Sequence, residues 1–348
     1  MIGLFVPVGF LLLASLVTLS SIALSNFYLQ LLWVVTGSLI VLFFYFVDWR
    51  ALLNHKWAVW GLYALAVFLL LVVALEGPVI RNTRGWLVLG PRNFQPVELA
   101  KIALIFAYAY YFSRRHVSIA RWKNIIASFI YFVIPAALVM AQPDLGSALV
   151  LFGIWFGFLL VSGLPRRRLF FALVVFSLAG IFMWNYGLKD YQRARIVGIF
   201  YPEQNTLGIN YSVAQSKIAI GSAGLWGKGY GQGTQTQLAF LPEPATDFIL
   251  PAFIEEWGLI PGFLVIAAFL GIIFFILKIG ILADQNFEKF ICLGSAMMFT
   301  WQFFLNVGSA TGIFPVVGVP FPFLSYGGSS LLTSFFLIAI INAIALRS

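Results

Sequence analysis

Two carboxylates, Glu243 and Asp247, stand four residues apart in FLPEPATDFI, directly before a long apolar run. A partly desolvated carboxylate near cations can take a proton from a hydroxyl group. One at a helix start is also held anionic by the helix dipole. Asp247 is therefore the candidate general base and Glu243 its neighbour, although the same spacing suits a solvated helix start. Glu98 and Lys101 follow Phe94-Gln95-Pro96-Val97. Proline favours the first helical turn, and the i, i+3 spacing puts acid and amine on one helix face. Such a pair either orders packed helices or lines a polar cavity. Asp144, in Gln142-Pro143-Asp144-Leu145-Gly146, is placed to cap the helix that follows a tight turn.

These groups need a scaffold, and the composition says what kind. Of 348 residues, 61% are hydrophobic and only 9% charged, where a soluble domain carries about 25% charged residues. Mean hydropathy is +0.97. The expected fold is an all-α integral membrane protein, one polytopic domain over 1–348. Apolar runs of near-spanning length fall at about 3–24, 28–47, 57–76, 95–112, 124–141, 145–163, 169–187, 250–277, 289–309 and 323–346. That makes about ten transmembrane helices, the first expected to be a retained span and not a cleaved signal peptide. Cys292 is the only cysteine, which rules out an internal disulfide and a cysteine-rich metal site. His55 and His116 lie in separate loops, which argues against a histidine metal cluster.

Lysine and arginine set the expected orientation. Arg50 and Lys56, Arg114 to Lys123, Arg166 to Arg168, Lys278 and Lys289, and Arg347 fall in alternate loops and mark a cytoplasmic face, with both termini inside. The net charge of +9 is spread over these loops, so nucleic acid is not an expected partner. Arg81, Arg84, Arg92, Lys101, Lys189, Arg193, Arg195, Lys217 and Lys228 belong to the opposite face. Three arginines in the short loop at 81–92 work against the insertion bias, and a polyanionic ligand at that face would account for them.

Between 188 and 249 runs one long extracytoplasmic loop, expected to be partly structured and partly dipped into the membrane interface. Its GKGYGQG stretch lacks the strand and the spacing of a dinucleotide site. Alternating glycines instead allow sharp turns or close approach. Near the C-terminus, GIFPVVGVPFPFLSYGGSS breaks any helix at Pro315, Pro320 and Pro322. At membrane depth such a segment must be buried or line a cavity, so it is expected to shape the site, with Ser325 and Tyr326 as caps.

Together, RGWLVLGPRNFQPVELAK (84–101), QPDLGSALV (142–150), QSKIAIGSAGLWGKGYGQGTQTQLAFLPEPATDFI (215–249) and FPVVGVPFPFLSYGGSSLL (314–332) resemble the RodA-type branch of the SEDS (shape, elongation, division and sporulation) proteins. The resemblance implies ten spans and a peptidoglycan glycosyltransferase that polymerises lipid II at the outer face of the bacterial cytoplasmic membrane. It implies undecaprenyl pyrophosphate-linked glycan as substrate and a class B penicillin-binding protein as partner. The family's essential aspartate falls on Asp247, its preceding acid on Glu243, its acid–lysine pair on Glu98 and Lys101, its loop cation on Lys217 and its QPDLG acid on Asp144. One departure is Ala245, where family members often carry histidine.

In that reaction charge grows on the leaving pyrophosphate, and cations stabilise it most in the transition state. Arg84, Lys101, Arg193, Arg195, Lys217 and Lys228 are the candidates. A divalent cation (Mg or Mn) bridging the pyrophosphate to Glu98 or Asp247 leaves no spacing signature and stays open. Broken helices and intramembrane charge also suit the alternative, a lipid-linked precursor translocase (flippase). A scaffold without chemistry of its own is the third possibility.

Overall fold

The structure is a computed structural model that describes residues 2–47, 50, 55–79, 83–90, 92–115, 121–161, 166–201, 208 and 210–347. Arg81, His116 and the side chain of Arg92 lie outside the described residues. The helices, in chain order, are α1 (Ile2–Ile22), α2 (Leu24–Phe46), α3 (Lys56–Glu76), α4 (Pro96–Ser113), α5 (Trp122–Ala141), α6 (Leu145–Val161) and α7 (Arg166–Phe182). They continue with α8 (Asp190–Phe200), α9 (Tyr211–Ser222), α10 (Thr234–Gln237), α11 (Ile249–Trp257), α12 (Leu259–Leu282), α13 (Asn286–Thr311) and α14 (Gly328–Ala345). Among the described residues, seven are long and apolar enough to cross a membrane: α1, α2, α3, α5, α12, α13 and α14. The protein is a multi-pass membrane protein built almost wholly of helices, because backbone polar groups in lipid must find partners within their own segment.

The expected runs at 95–112, 145–163 and 169–187 correspond to α4, α6 and α7, which fall short of that length or apolarity. For α4 the reason is its place. It is buried along nearly its whole length and packs on α3, α6, α13 and α14. Protein surrounds it, so it can carry Glu98, Lys101 and tyrosines. Small residues bring neighbouring helices close. A Cβ at Gly153 of α6 would fall 2.1 Å from the Trp301 ring on α13, and one at Gly37 of α2 would fall 2.1 Å from Phe335 on α14.

The fold is all-α as expected, and the loop before α4 adds one short antiparallel hairpin, β1 (Leu87–Leu89) with β2 (Arg92–Phe94), pairing Leu87 with Phe94. Two expectations need correction. The run 250–277 is not one helix. It breaks at Gly258, whose φ of 95° ends α11 and starts α12. Where one apolar span was expected at 323–346, chain without helix continues to Gly327 and α14 begins at Gly328. Among its described residues the stretch 188–248 holds three helices, α8, α9 and α10, and α9 packs against α11 and α13.

Candidate functional site

Asp247 lies just before α11, whose N-cap is Phe248, so it precedes a nine-residue helix and not a span. The loop carrying it is held through its main chain. Asn306 on α13 donates from Nδ2 to the carbonyls of Asp247 (3.0 Å) and Val319 (2.9 Å). The Ser325 hydroxyl donates to the Thr246 carbonyl at 2.6 Å while accepting the Phe321 N–H at 2.8 Å. The Tyr326 N–H reaches the Ala245 carbonyl at 2.9 Å. Three consecutive carbonyls, 245 to 247, are thus tied to α13 and to the proline-broken segment. Within the loop, Glu243 accepts the Thr246 hydroxyl on Oε2 at 3.1 Å, and its carbonyl takes the N–H groups of Thr246 and Phe248. Glu243 has φ 49°, a left-handed backbone that L-residues adopt at a cost and that clusters at functional sites.

The proline-broken segment 312–327 is the hub of the site. A Cβ on Gly318 would stand 3.7 Å from Asp247 Oδ2, and Gly318 has φ 71°. Arg195 Nη1 on α8 donates to the Val316 carbonyl at 2.8 Å. The first turn of α6 abuts the same stretch, since a Cβ on Gly146 would fall 2.3 Å from the Val317 oxygen. Lys217, exposed on α9, lays its Nζ over Gly312, the left-handed C-cap of α13, where a cation meets the negative helix end. Ser216 beside it donates to the Ala310 carbonyl at 2.7 Å. Asp247, Arg195, Lys217 and the Asp144 turn therefore converge on one irregular ribbon. Proline and glycine explain why it is not helical, and burial against α13 explains how it survives.

Asp144 caps α6 as expected: Oδ1 accepts the Ser147 N–H at 2.9 Å and Oδ2 the Ser147 hydroxyl at 2.7 Å. Gln95 Nε2 approaches Oδ2 at 3.4 Å. Arg84 is exposed and joins the same corner through its N–H to the Gln142 carbonyl at 3.3 Å.

Other expected residues are committed elsewhere. Glu98 and Lys101 form an ion pair at 2.8 Å, with residue exposures of only 2% and 1%. Both side chains lie within the helix packing, and Glu98 Oε2 is buried with no hydrogen-bond partner among the described residues. Lys228 pairs with buried Glu255 at 2.8 Å. Glu255 also accepts the N–H groups of Gln235 (2.8 Å) and Thr236 (3.1 Å) and the Thr236 hydroxyl. Burial raises the Glu255 carboxyl. These N–H groups and Lys228 more than offset that and hold it below the ordinary carboxylate value. The glycine run packs on the end of α11: Gly227, Gly229 and Gly231 all have positive φ, a Cβ on Gly227 would meet the Glu256 carbonyl at 2.2 Å, and one on Gly233 would meet Glu255 Oε2 at 2.8 Å. Arg193 pairs loosely with exposed Asp190 at 3.7 Å and donates to the Asn185 carbonyl. Among the described residues no three His, Cys, Asp or Glu side chains are grouped to hold a metal ion.

Sequence reasoning missed Asn306, a polar residue at membrane depth, which is the signal available in advance; Glu255 was visible as an acid at that depth, but not the Lys228 and main-chain partners it takes. Ser325 was anticipated as a cap but not as the tie to Thr246.

The chain matches the FtsW/RodA/SpoVE family, described as cell cycle proteins, over residues 1–348. It belongs to that family. It is 39% identical over 271 residues to the peptidoglycan glycosyltransferase MrdB of Escherichia coli K12, covering 78% of this chain and 73% of the relative. It is 36% identical over 287 residues to a probable peptidoglycan glycosyltransferase FtsW of Haemophilus influenzae, covering 80% and 72%. Among solved structures, it superposes on a chain of a peptidoglycan synthase complex that coordinates polymerization and crosslinking, with TM-score 0.85, 27% identity and coverage of 100% and 98%. It also superposes on the rod shape determining protein RodA of Thermus thermophilus, with TM-score 0.74, 26% identity and coverage of 99% and 96%.

Proposed function

We propose that this chain is a peptidoglycan glycosyltransferase that polymerises lipid II at the outer face of the cytoplasmic membrane, with both termini inside. The curated relatives are named as such enzymes. The observation that carries the site assignment is the clamping of the Asp247 loop through three main-chain carbonyls, with the Asp247 carboxylate beside Gly318 on a ribbon that Arg195 also grips.

In the proposed step Asp247 takes the proton of the acceptor sugar's 4-hydroxyl. The oxygen attacks the donor's anomeric carbon, the bond to the pyrophosphate oxygen breaks, and undecaprenyl pyrophosphate leaves with inversion. Arg195, Lys217 and Arg84 face the developing negative charge, and Arg193 supports them, since its exposed pair with Asp190 binds it weakly. Glu243, locked by Thr246, sets the loop conformation. A divalent cation would be held by Glu98 or Asp247 and would supply charge neutralisation for the pyrophosphate. A class B penicillin-binding protein is the proposed partner, supported by the likeness to a chain of a complex that couples polymerization to crosslinking.

The test is polymerisation of labelled lipid II by purified protein in detergent, where a flippase has no membrane to cross. Wild type should form glycan chains. Asp247→Ala and Asp247→Asn should fold and insert normally yet lose about 10²–10⁴ in rate, the usual cost of removing a positioned base. Near-normal chain synthesis by either variant would reject the assignment.

A further inference from the structure

Most residues of α2 are exposed or half-buried, and Gln30 and Gly37 are its buried ones. Gly37 admits the Phe335 ring of α14. Gln30, about 9 Å along the helix, is fully buried. Its Nε2 donates to Ser15 Oγ on α1 at 3.2 Å and to the Ser325 carbonyl at 3.3 Å. A carbonyl can only accept, so the second contact fixes which end of the amide faces the ribbon 312–327. The other end, Oε1, is buried with no hydrogen-bond partner among the described residues. Trp33, one turn further along α2, abuts Gly328, where a Cβ would fall 2.5 Å from the indole. Helix α2 therefore meets the chain on both sides of Tyr326 and Gly327.

An apolar side chain would fill this contact at lower cost, because a buried amide oxygen without a partner goes uncompensated. What glutamine adds is a donor aimed at one main-chain oxygen. That oxygen belongs to the residue whose hydroxyl donates to the Thr246 carbonyl and accepts the Phe321 N–H. Ser325 is thus held at its carbonyl from the α2 side, and with its hydroxyl it holds the residue before Asp247. Ser15, itself fully buried, accepts from the same nitrogen and orients the amide. Given the function proposed above, on which this rests, we propose that Gln30 is a positioning residue for the Asp247 carboxylate, acting through Ser325 and Thr246. The α1–α2 pair thereby belongs to the machinery that aims the base.

The experiment is lipid II polymerisation by the purified full chain in detergent, with kcat and KM measured separately and the melting temperature checking the fold. Gln30→Met keeps a side chain of similar length and removes the donor. It should lower kcat on the order of tenfold by misplacing Asp247, with KM and melting temperature little changed. Ser325→Ala should lower kcat likewise. The double variant should lose no more than the larger single loss, because both residues act along one chain of bonds. Should Gln30→Met fail to fold, Gln30→Asn, which withdraws the amide by one methylene, should show the same split between kcat and KM. Ser38→Ala, exposed on the same helix with its hydroxyl bonded to the Val34 carbonyl, should match wild type. Unchanged kcat in both Gln30 variants, a rise in KM alone, an equal loss in Ser38→Ala, or losses that multiply in the double variant would each overturn the proposal. A wild type that forms no glycan chains would overturn the function itself, and this role of Gln30 with it.

Discussion

Helix α11 has a carboxylate site at each end, and the two are built on opposite plans. At its C-terminal end Glu255 is fully buried, and its carboxylate is consumed by Lys228, two main-chain N–H groups and Thr236. Before its N-terminal end, the Asp247 loop is secured by Asn306, Ser325 and Tyr326 through carbonyl oxygens. In the first site the side chain holds the fold. In the second the ties to Asn306, Ser325 and Tyr326 run through the backbone. For the proposed proton transfer the difference matters, because a carboxylate neutralised by a buried ion pair is a poor base.

The contrast can be tested from both ends. Glu255→Ala should strip the glycine-rich loop of its anchor and cost about 3 kcal/mol, the lower end for a broken buried pair because Lys228 keeps some access to water. A fall in melting temperature and in yield of folded protein would show it, whereas a stable but inactive variant would make Glu255 part of the chemistry. Asn306→Ala should remove two main-chain ties at once and lower turnover by up to about 10²-fold through misplacement of Asp247, with KM little changed. A rise in KM alone would mean that Asn306 touches substrate. Gly318→Ala should be the mildest, about 1 kcal/mol for a left-handed alanine, together with a measurable loss of rate because the methyl would stand beside Asp247. Unchanged rate would move the working face of the carboxylate away from this ribbon.

Much of this was legible in advance. Near-spanning apolar runs announced the helices, and the QPDLG turn announced Asp144 as a cap, because both depend on neighbours within one or a few turns. The prolines of 315–322 announced an unwound segment. The partner of Lys228 was not legible, since Glu255 lies 27 residues on inside an apolar run. Nor was the closure of Glu98 on Lys101, which depends on α4 being surrounded by other helices. Ala245 was visible in the sequence, but not its setting: it packs in the core at 9% exposure while its carbonyl accepts the Tyr326 N–H. The position serves the clamp through its backbone.

Hydropathy, charge and the placement of proline and glycine by themselves determined that this chain crosses the membrane many times and which acids were worth watching. These are local properties, set by the cost of leaving peptide groups unpaired in lipid and by backbone sterics. Which cations pair with acids and which reach the 312–327 ribbon was decided only by the tertiary structure. Pairing between buried charges depends on distances across helices far apart in the chain, and a shift of a few ångströms turns a ligand-facing lysine into the partner of a buried glutamate.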